Sequence, residues 1–240
     1  MRKVTARETP HGPSLRAVPF LQADTDNIVL TARQREQLVQ IGTRLRLPAR
    51  KIIYREDAPA DAVFAVVEGV LKSYRHLRNG RRTICAFLFA RDLFGLAERG
   101  HYVNCTQAVT PVILYRLSIH ELTRILKEDA ELQFQFLAKV THELRESHRR
   151  AVLINRRDAA GRLAMFIERM AARRDQSIRR EPDVALPMSR TDIAEYLGLS
   201  LESVSRAATE LRRRGLVRFE SRHLVRIVDV TSFVAVAAAV

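Results

Sequence analysis

The apolar positions of this chain change their period along its length. Between residues 46 and 117 they fall in short runs of Val, Ile, Phe and Tyr separated by turn residues. Segments 51–54, 62–67, 70–74, 82–89 and 112–117 each read as a strand. Asn79-Gly80 stands between two of these runs, and both residues tolerate positive φ, so a hairpin is predicted there. Gly69 and Gly95 mark further corners. Several short strands at regular spacing imply a β-barrel, jelly roll or sandwich. Upstream, Thr31 is placed to cap a short helix over 32–41, with Leu38 and Ile41 on one face. Residues 1–27 hold Pro10, Pro13 and Pro19 and show little periodicity, so they are expected to form a flexible or loosely docked arm.

From about residue 120 the period becomes helical, and one long helix is predicted over 121–155. Within it Leu137, Val140, Leu144, Ser147, Ala151 and Ile154 are spaced 3, 4, 3, 4 and 3 residues apart. This is a heptad seam, and the charges of Glu143, Arg145, Glu146, Arg149 and Arg150 lie on the other faces. The seam predicts a homodimer. The alternative is a helix packed on its own domain. A second helix is predicted over 157–173 with Leu163, Phe166, Ile167 and Met170 as its core stripe, followed by a polar connector over 176–187.

Residues 189–213 carry the motif with the most specific meaning. Ser189 caps a helix with Asp192 at the third helical position, a variant of the capping box. Gly198 supplies a left-handed turn, and Ser200 caps a second helix from Leu201 to about Arg213. Ala194 allows close approach of the two helices, Val204 pins one to the other, and Ile193, Leu197 and Leu211 fill the core beneath. Two short strands follow, 216–219 and 224–228, joined by Glu220-Ser221-Arg222-His223. Together these predict a winged helix-turn-helix, rather than a plain helical hairpin with a ribbon. The second helix of such a motif presents its N-terminal half to the DNA major groove. Glu202, Ser205 and Arg206 share one face there. A carboxylate can accept from cytosine N4, and an arginine can grip guanine O6 and N7. The competing account is a surface Glu202–Arg206 pair with no readout role. Ser189, Arg190, Thr191, Ser200, Ser203 and Arg222 are the candidate contacts to the DNA backbone.

Charge sharpens this picture. The 240-residue chain holds 41 Lys and Arg against 27 Asp and Glu, a net charge of +14, which points to a polyanionic partner. Residues 156–226 contain 16 arginines and 10 acids, a net of +6, so less than half of the surplus lies with the helix-turn-helix. No apolar run is long enough to span a bilayer, and residues 1–16 lack the apolar core of an export signal, so no membrane role and a cytoplasmic location are expected. The two cysteines, Cys85 and Cys105, cannot form a disulfide framework or a four-cysteine cluster site, and reduced thiols are expected. No phosphate loop, nucleophile–base cluster or metal-ligand spacing suggests an enzyme or a bound metal. A non-catalytic module whose winged helix binds another protein remains the rival from outside DNA binding.

With these features in order, the chain resembles the CRP/FNR superfamily of bacterial transcription regulators over nearly all of its length after the arm. The resemblance implies an α+β fold with a β-roll (jelly-roll, cyclic-nucleotide-binding-like) sensory domain over 28–120. A dimerisation helix over 121–155 and a DNA-binding domain over 156–240 would follow. Glu202-x-x-Ser205-Arg206 is similar to the FNR and FixK type of recognition helix, which implies readout of the TTGA part of a TTGAT-N4-ATCAA-like palindrome. Asp92-Leu93-Phe94-Gly95-Leu96, Tyr102-Val103-Asn104 and Thr110-Pro111-Val112 are similar to FixK-like members. Contacts with RNA polymerase are also implied. Cyclic-nucleotide binders of the family follow Phe-Gly with a Glu for the ribose and later carry an Arg-Ser or Arg-Thr pair for the phosphate. Here Leu96 and Asn104-Cys105 stand near those places. A buried phosphate without a cation is costly, so no cyclic-nucleotide control is expected. The arm has no cysteine, which argues against an iron–sulfur cofactor of the FNR kind. A ligand-gated variant, with haem at His101 or a small molecule, is the alternative, and a redox role for either thiol is the lesser one.

Overall fold

The computed structural model describes residues 32–155, 158–172 and 183–238. The arm over 1–27, the cap Thr31 and the pairs Arg156-Arg157 and Arg173-Arg174 lie outside the described residues. The chain opens with α1 (Ala32–Ile41) and then runs through ten strands. These are β1 (Gly42–Leu47), β2 (Ile52–Tyr54), β3 (Ala62–Glu68), β4 (Leu71–His76), β5 (Arg82–Leu88), β6 (Leu93–Phe94), β7 (Ala97–Glu98), β8 (His101–Tyr102), β9 (Cys105–Ala108) and β10 (Val112–Ser118). They form two antiparallel four-stranded sheets, ordered β1-β10-β3-β6 and β2-β9-β4-β5, with a short β7-β8 ribbon beside them. The strands expected from the sequence are all present. β1, β6, β7, β8 and β9 are additional: the last four are two to four residues long, too short to show a period, whereas β1 does alternate through Arg44-Leu45-Arg46-Leu47 but lies mostly upstream of residue 46.

The core of this β-roll holds Tyr54, Phe64, Leu71, Leu88, Phe94, Tyr102 and Leu114, with Tyr54 stacked on Tyr102 at 3.8 Å between ring centroids. The Asn79-Gly80 turn closes the β4–β5 hairpin as expected: the Gly80 N–H donates to the Leu77 carbonyl and Gly80 has φ 77°. Gly69 turns the chain from β3 to β4 at φ +89°, and a Cβ there would lie 2.3 Å from the Pro111 oxygen, so a side chain is excluded twice over.

The single helix expected over 121–155 is two helices, α2 (Ile119–Glu128) and α3 (Ala130–Asn155). Asp129 between them is extended, at φ −127° and ψ 95°. Its N–H closes α2 on the Ile125 carbonyl, and its Oδ1 accepts from Leu132 N–H at 2.9 Å, opening α3. Aspartate caps helices well because its short side chain competes for backbone N–H groups. The bend also lets Leu122 and Ile125 of α2 and Leu132 and Phe136 of α3 meet Leu38, Val63 and Leu117 in one cluster.

The C-terminal part comprises α4 (Ala159–Ala172), β11 (Asp183–Ala185), α5 (Arg190–Leu197), α6 (Leu201–Arg213), β12 (Val217–Phe219), β13 (Leu224–Ile227) and α7 (Val230–Ala238). The predicted stripe Leu163, Phe166, Ile167 and Met170 is buried. One expectation changes and one helix is additional. The connector contains β11, which joins the wing in the order β11-β13-β12 and buries Val184. The apolar tail forms α7, opened by Asp229 Oδ1 accepting from Ser232 N–H at 3.0 Å. Phe233 and Ala237, one turn apart, are the buried residues of that helix.

Candidate nucleic-acid interface

The helix-turn-helix forms by local chemistry. The Ser189 hydroxyl accepts from Asp192 N–H at 3.0 Å, and the Asp192 carboxylate accepts from Ser189 N–H and Oγ–H. Gly198 ends α5 in the left-handed region at φ 65°. Ser200 then accepts from Ser203 N–H at 3.0 Å and starts α6. Ala194, Val204, Ile193, Leu197 and Leu211 are all buried, as their spacing requires.

On α6, Glu202 and Arg206 are exposed and Ser205 is half-buried. Arg206 Nη1 lies 3.3 Å from Glu202 Oε1, with the side chains 72% and 75% exposed. Such a pair contributes a few tenths of a kcal/mol, so both groups are cheaply released to another partner. The Ser205 hydroxyl donates to the Leu201 carbonyl at 3.0 Å, which leaves its oxygen lone pairs as acceptors. Among the candidate backbone contacts, Arg190 and Thr191 are exposed in the first turn of α5. The Arg190 guanidinium lies 5.8 Å from the centre of the Phe219 ring, which ties the start of α5 to the wing. Arg222 is exposed at the wing tip. The hydroxyls of Ser189, Ser200 and Ser203 are engaged in capping bonds, the last two 2.9 Å apart.

The heptad residues lie apart from this surface, on α3. Leu137, Val140 and Leu144 are 62%, 41% and 55% exposed in the single chain. Ser147 and Ala151 are also exposed, while Ile154 is half-buried against the winged-helix core.

A seam joins the roll to the helix-turn-helix, and no sequence motif announces it. Lys72 of β4 places Nζ 2.5 Å from Asp192 Oδ1, with the two side chains 11% and 8% exposed. Arg82 of β5 grips Glu195 with Nε and Nη2, at 2.7 and 3.1 Å, and reaches Asp192 at 3.4 Å. Burial works against the Asp192 charge, but hydrogen bonds from Lys72 and Ser189 outweigh it and hold the carboxyl below its ordinary range. Behind the ion pairs, Phe87, Phe166 and Tyr196 form a triangle of rings 5.3 to 6.0 Å apart, and Arg150 of α3 stacks over Tyr196. These partners are separated by up to 120 residues, and no spacing rule could join them.

Beside the seam is a cleft of about 270 Å³ whose lining includes Tyr54, Phe87, Phe94, Asn104, Ser147 and Arg169. It is slightly smaller than ordinary ligand sites, which run ~300–1,000 Å³. Sequence spacing puts no cation near Phe94-Gly95, but Arg169 of α4 brings one to this cleft from outside the roll. Leu96 is 42% exposed and lines it as well. His101 is exposed on β8. Cys85 is half-buried in β5, where burial pushes its thiol pKa up, and Cys105 is buried in β9. Among the described residues, no helix is long and apolar enough to cross a membrane.

Comparison with known proteins agrees with this architecture. Residues 161–235 match the Crp-like helix-turn-helix domain, and residues 44–129 match the cyclic nucleotide-binding domain. The chain is 30% identical to the transcriptional activatory protein AadR of Rhodopseudomonas palustris over 85% of both chains. It is also 30% identical to the nitrogen fixation regulation protein FixK of Bradyrhizobium diazoefficiens, over 78% of this chain and 79% of that one. The solved structure of FixK2 from Bradyrhizobium japonicum superposes with a TM-score of 0.76 at 31% identity, covering 83% of this chain and 99% of that one. Neither the fold nor the relatives are those of an enzyme. From its β-roll to its winged helix, the chain belongs to the CRP/FNR family of transcription regulators.

Proposed function

We propose that this regulator is a homodimer that reads a TTGAT-N4-ATCAA-like palindrome through Glu202, Ser205 and Arg206. The observation that carries this reading is the exposed, weakly paired Glu202–Arg206 couple on the N-terminal half of a capped α6. Arg190, Thr191 and Arg222 position the protein on phosphates. Ser189, Ser200 and Ser203 add contacts from the two capped helix starts, where the N-terminal dipole favours anions. The dimer closes through the α3 seam of Leu137, Val140, Leu144, Ser147, Ala151 and Ile154. The two α6 helices then sit one DNA turn apart, ~34 Å. The protein acts in the cytoplasm and contacts RNA polymerase. Control is by neither a cyclic nucleotide nor an iron–sulfur centre. The test is binding to the palindrome against a shuffled duplex over a range of salt. The palindrome is expected to bind at least ~10³-fold tighter, and equal affinity for both duplexes would overturn the reading.

A second reading, ligand-gated control, is favoured by one feature: the cleft joins roll residues to Ser147 of α3 and Arg169 of α4. A molecule seated there would touch both the roll and the helices beside the DNA-binding motif. Calorimetry with cyclic nucleotides and an absorption spectrum for haem separate the two readings.

A further inference from the structure

The end of the β2-β9-β4 sheet gathers three metal-ligating side chains from three adjacent segments of chain. Cys105 begins β9 and is paired across the sheet with Tyr74 of β4. His76 ends β4, two residues on, and so falls on the same face of the strand as Tyr74. Glu56 follows the end of β2, the neighbour of β9 on its other side. The Cys105 sulfur, a His76 ring nitrogen and a Glu56 carboxylate oxygen all lie within 4.8 Å of one another.

The surroundings suit a bound cation. The Cys105 Sγ accepts the Glu56 backbone N–H at 3.3 Å, which fixes the sulfur beside the residue that carries the carboxylate. Arg75 holds Glu56 through Oε1 at 2.7 Å, leaving Oε2 as the second donor of the carboxylate. The Tyr74 ring meets His76 edge-on, with centroids 5.5 Å apart, and steadies the imidazole. Cys105 is buried, Glu56 half-buried and His76 exposed, so the cluster spans from the roll interior to its surface.

We propose that Glu56, His76 and Cys105 form an open three-ligand site for a zinc-class divalent cation. The donor set of one thiolate, one imidazole and one carboxylate selects a borderline transition ion over calcium or magnesium, which take oxygen ligands. Metal–donor bonds of ~2.0–2.3 Å require the donors to close by about an ångström, within reach of rotamer changes at exposed His76 and half-buried Glu56. The site also lies next to the interdomain seam, because His76 is paired across β4–β5 with Arg82, the residue that grips Glu195. Motif spacing could not reveal it, since its ligands are 20 to 49 residues apart in the chain.

The test uses the full chain, stripped with a chelator and titrated with Co²⁺ under reducing conditions. One equivalent is expected to produce a thiolate-to-cobalt charge-transfer band, displaced by Zn²⁺. Cys105→Ser should abolish the band, and Cys85→Ser should leave it intact. His76→Ala and Glu56→Gln should each weaken Zn²⁺ binding at least ~10-fold. His76 is exposed, so its variant carries the test even if the buried serine substitution prevents folding. Absence of stoichiometric binding would overturn the proposal, as would a band that follows Cys85 or a Zn²⁺ affinity indifferent to His76 and Glu56.

Discussion

Helix α5 carries its carboxylates into a buried seam, whereas its neighbour α6 holds its ion pair in water. Asp192 and Lys72 are almost wholly enclosed, while Glu202 and Arg206 are each about three-quarters exposed. The two contacts look alike as pairs of opposite charges, yet they do different work. In the seam, each charge left without its partner would remain desolvated, at several kcal/mol. On α6, either group can turn to water at almost no cost. A reading surface needs the second arrangement, because its groups must be surrendered to base edges. A surface that fixes the helix-turn-helix against the roll needs the first.

The largest expected effect follows from Asp192. Asp192→Ala removes both the partner of Lys72 and half of the capping box, and should cost about 3–5 kcal/mol in urea unfolding. Adding Lys72→Met should restore much of this, since the stranded ammonium is then gone. A loss below about 1 kcal/mol would place the seam in the class of surface pairs. Acidification probes the same group. Its folded pKa lies below the ordinary aspartate value of 3.8, so its stabilisation is complete above that value and disappears as pH falls through the folded pKa. Asp192→Asn should therefore flatten the acid limb of the stability profile below pH ~4, and an unchanged limb would contradict the assignment.

Arg206→Ala should behave in the opposite way. Stability should move by less than about 0.5 kcal/mol, while discrimination between the palindrome and a variant at one base position should fall by about 1–3 kcal/mol. A large stability loss with discrimination intact would erase the contrast between the helices. The smallest effect is expected at the wing tip. Arg222→Ala should weaken all duplexes alike and lower the salt slope by about one. A loss confined to one base position would make it a reader.

The legible parts of this protein are those in which the determinants are close together in the chain. Ser189 and Asp192, Ser200 and Ser203, and the Asn79-Gly80 turn each act within four residues, and the structure places them as their chemistry requires. The less legible parts have partners far away. β11 is three residues long and becomes a strand only because β13 lies beside it. The break at Asp129 was open to detection, since aspartate is a strong cap, but the helical period continues across it. Glu195 and Tyr196 read as ordinary residues of α5 until Arg82 and Phe87 are brought against them.

The sequence by itself therefore determined the helix-turn-helix, five of the ten roll strands and the exposed face shared by Glu202 and Arg206. Caps, positive-φ turns and one-face periodicities are local, and their free energies depend on a few neighbouring residues. Tertiary structure alone decided what joins the roll to the helix-turn-helix and what gathers within the roll. It buried Lys72 with Asp192, set Arg169 in the cleft and drew Glu56, His76 and Cys105 to one sheet end. Each of those arrangements depends on strand pairing and desolvation between distant segments, and neither exists until the chain has closed its loops.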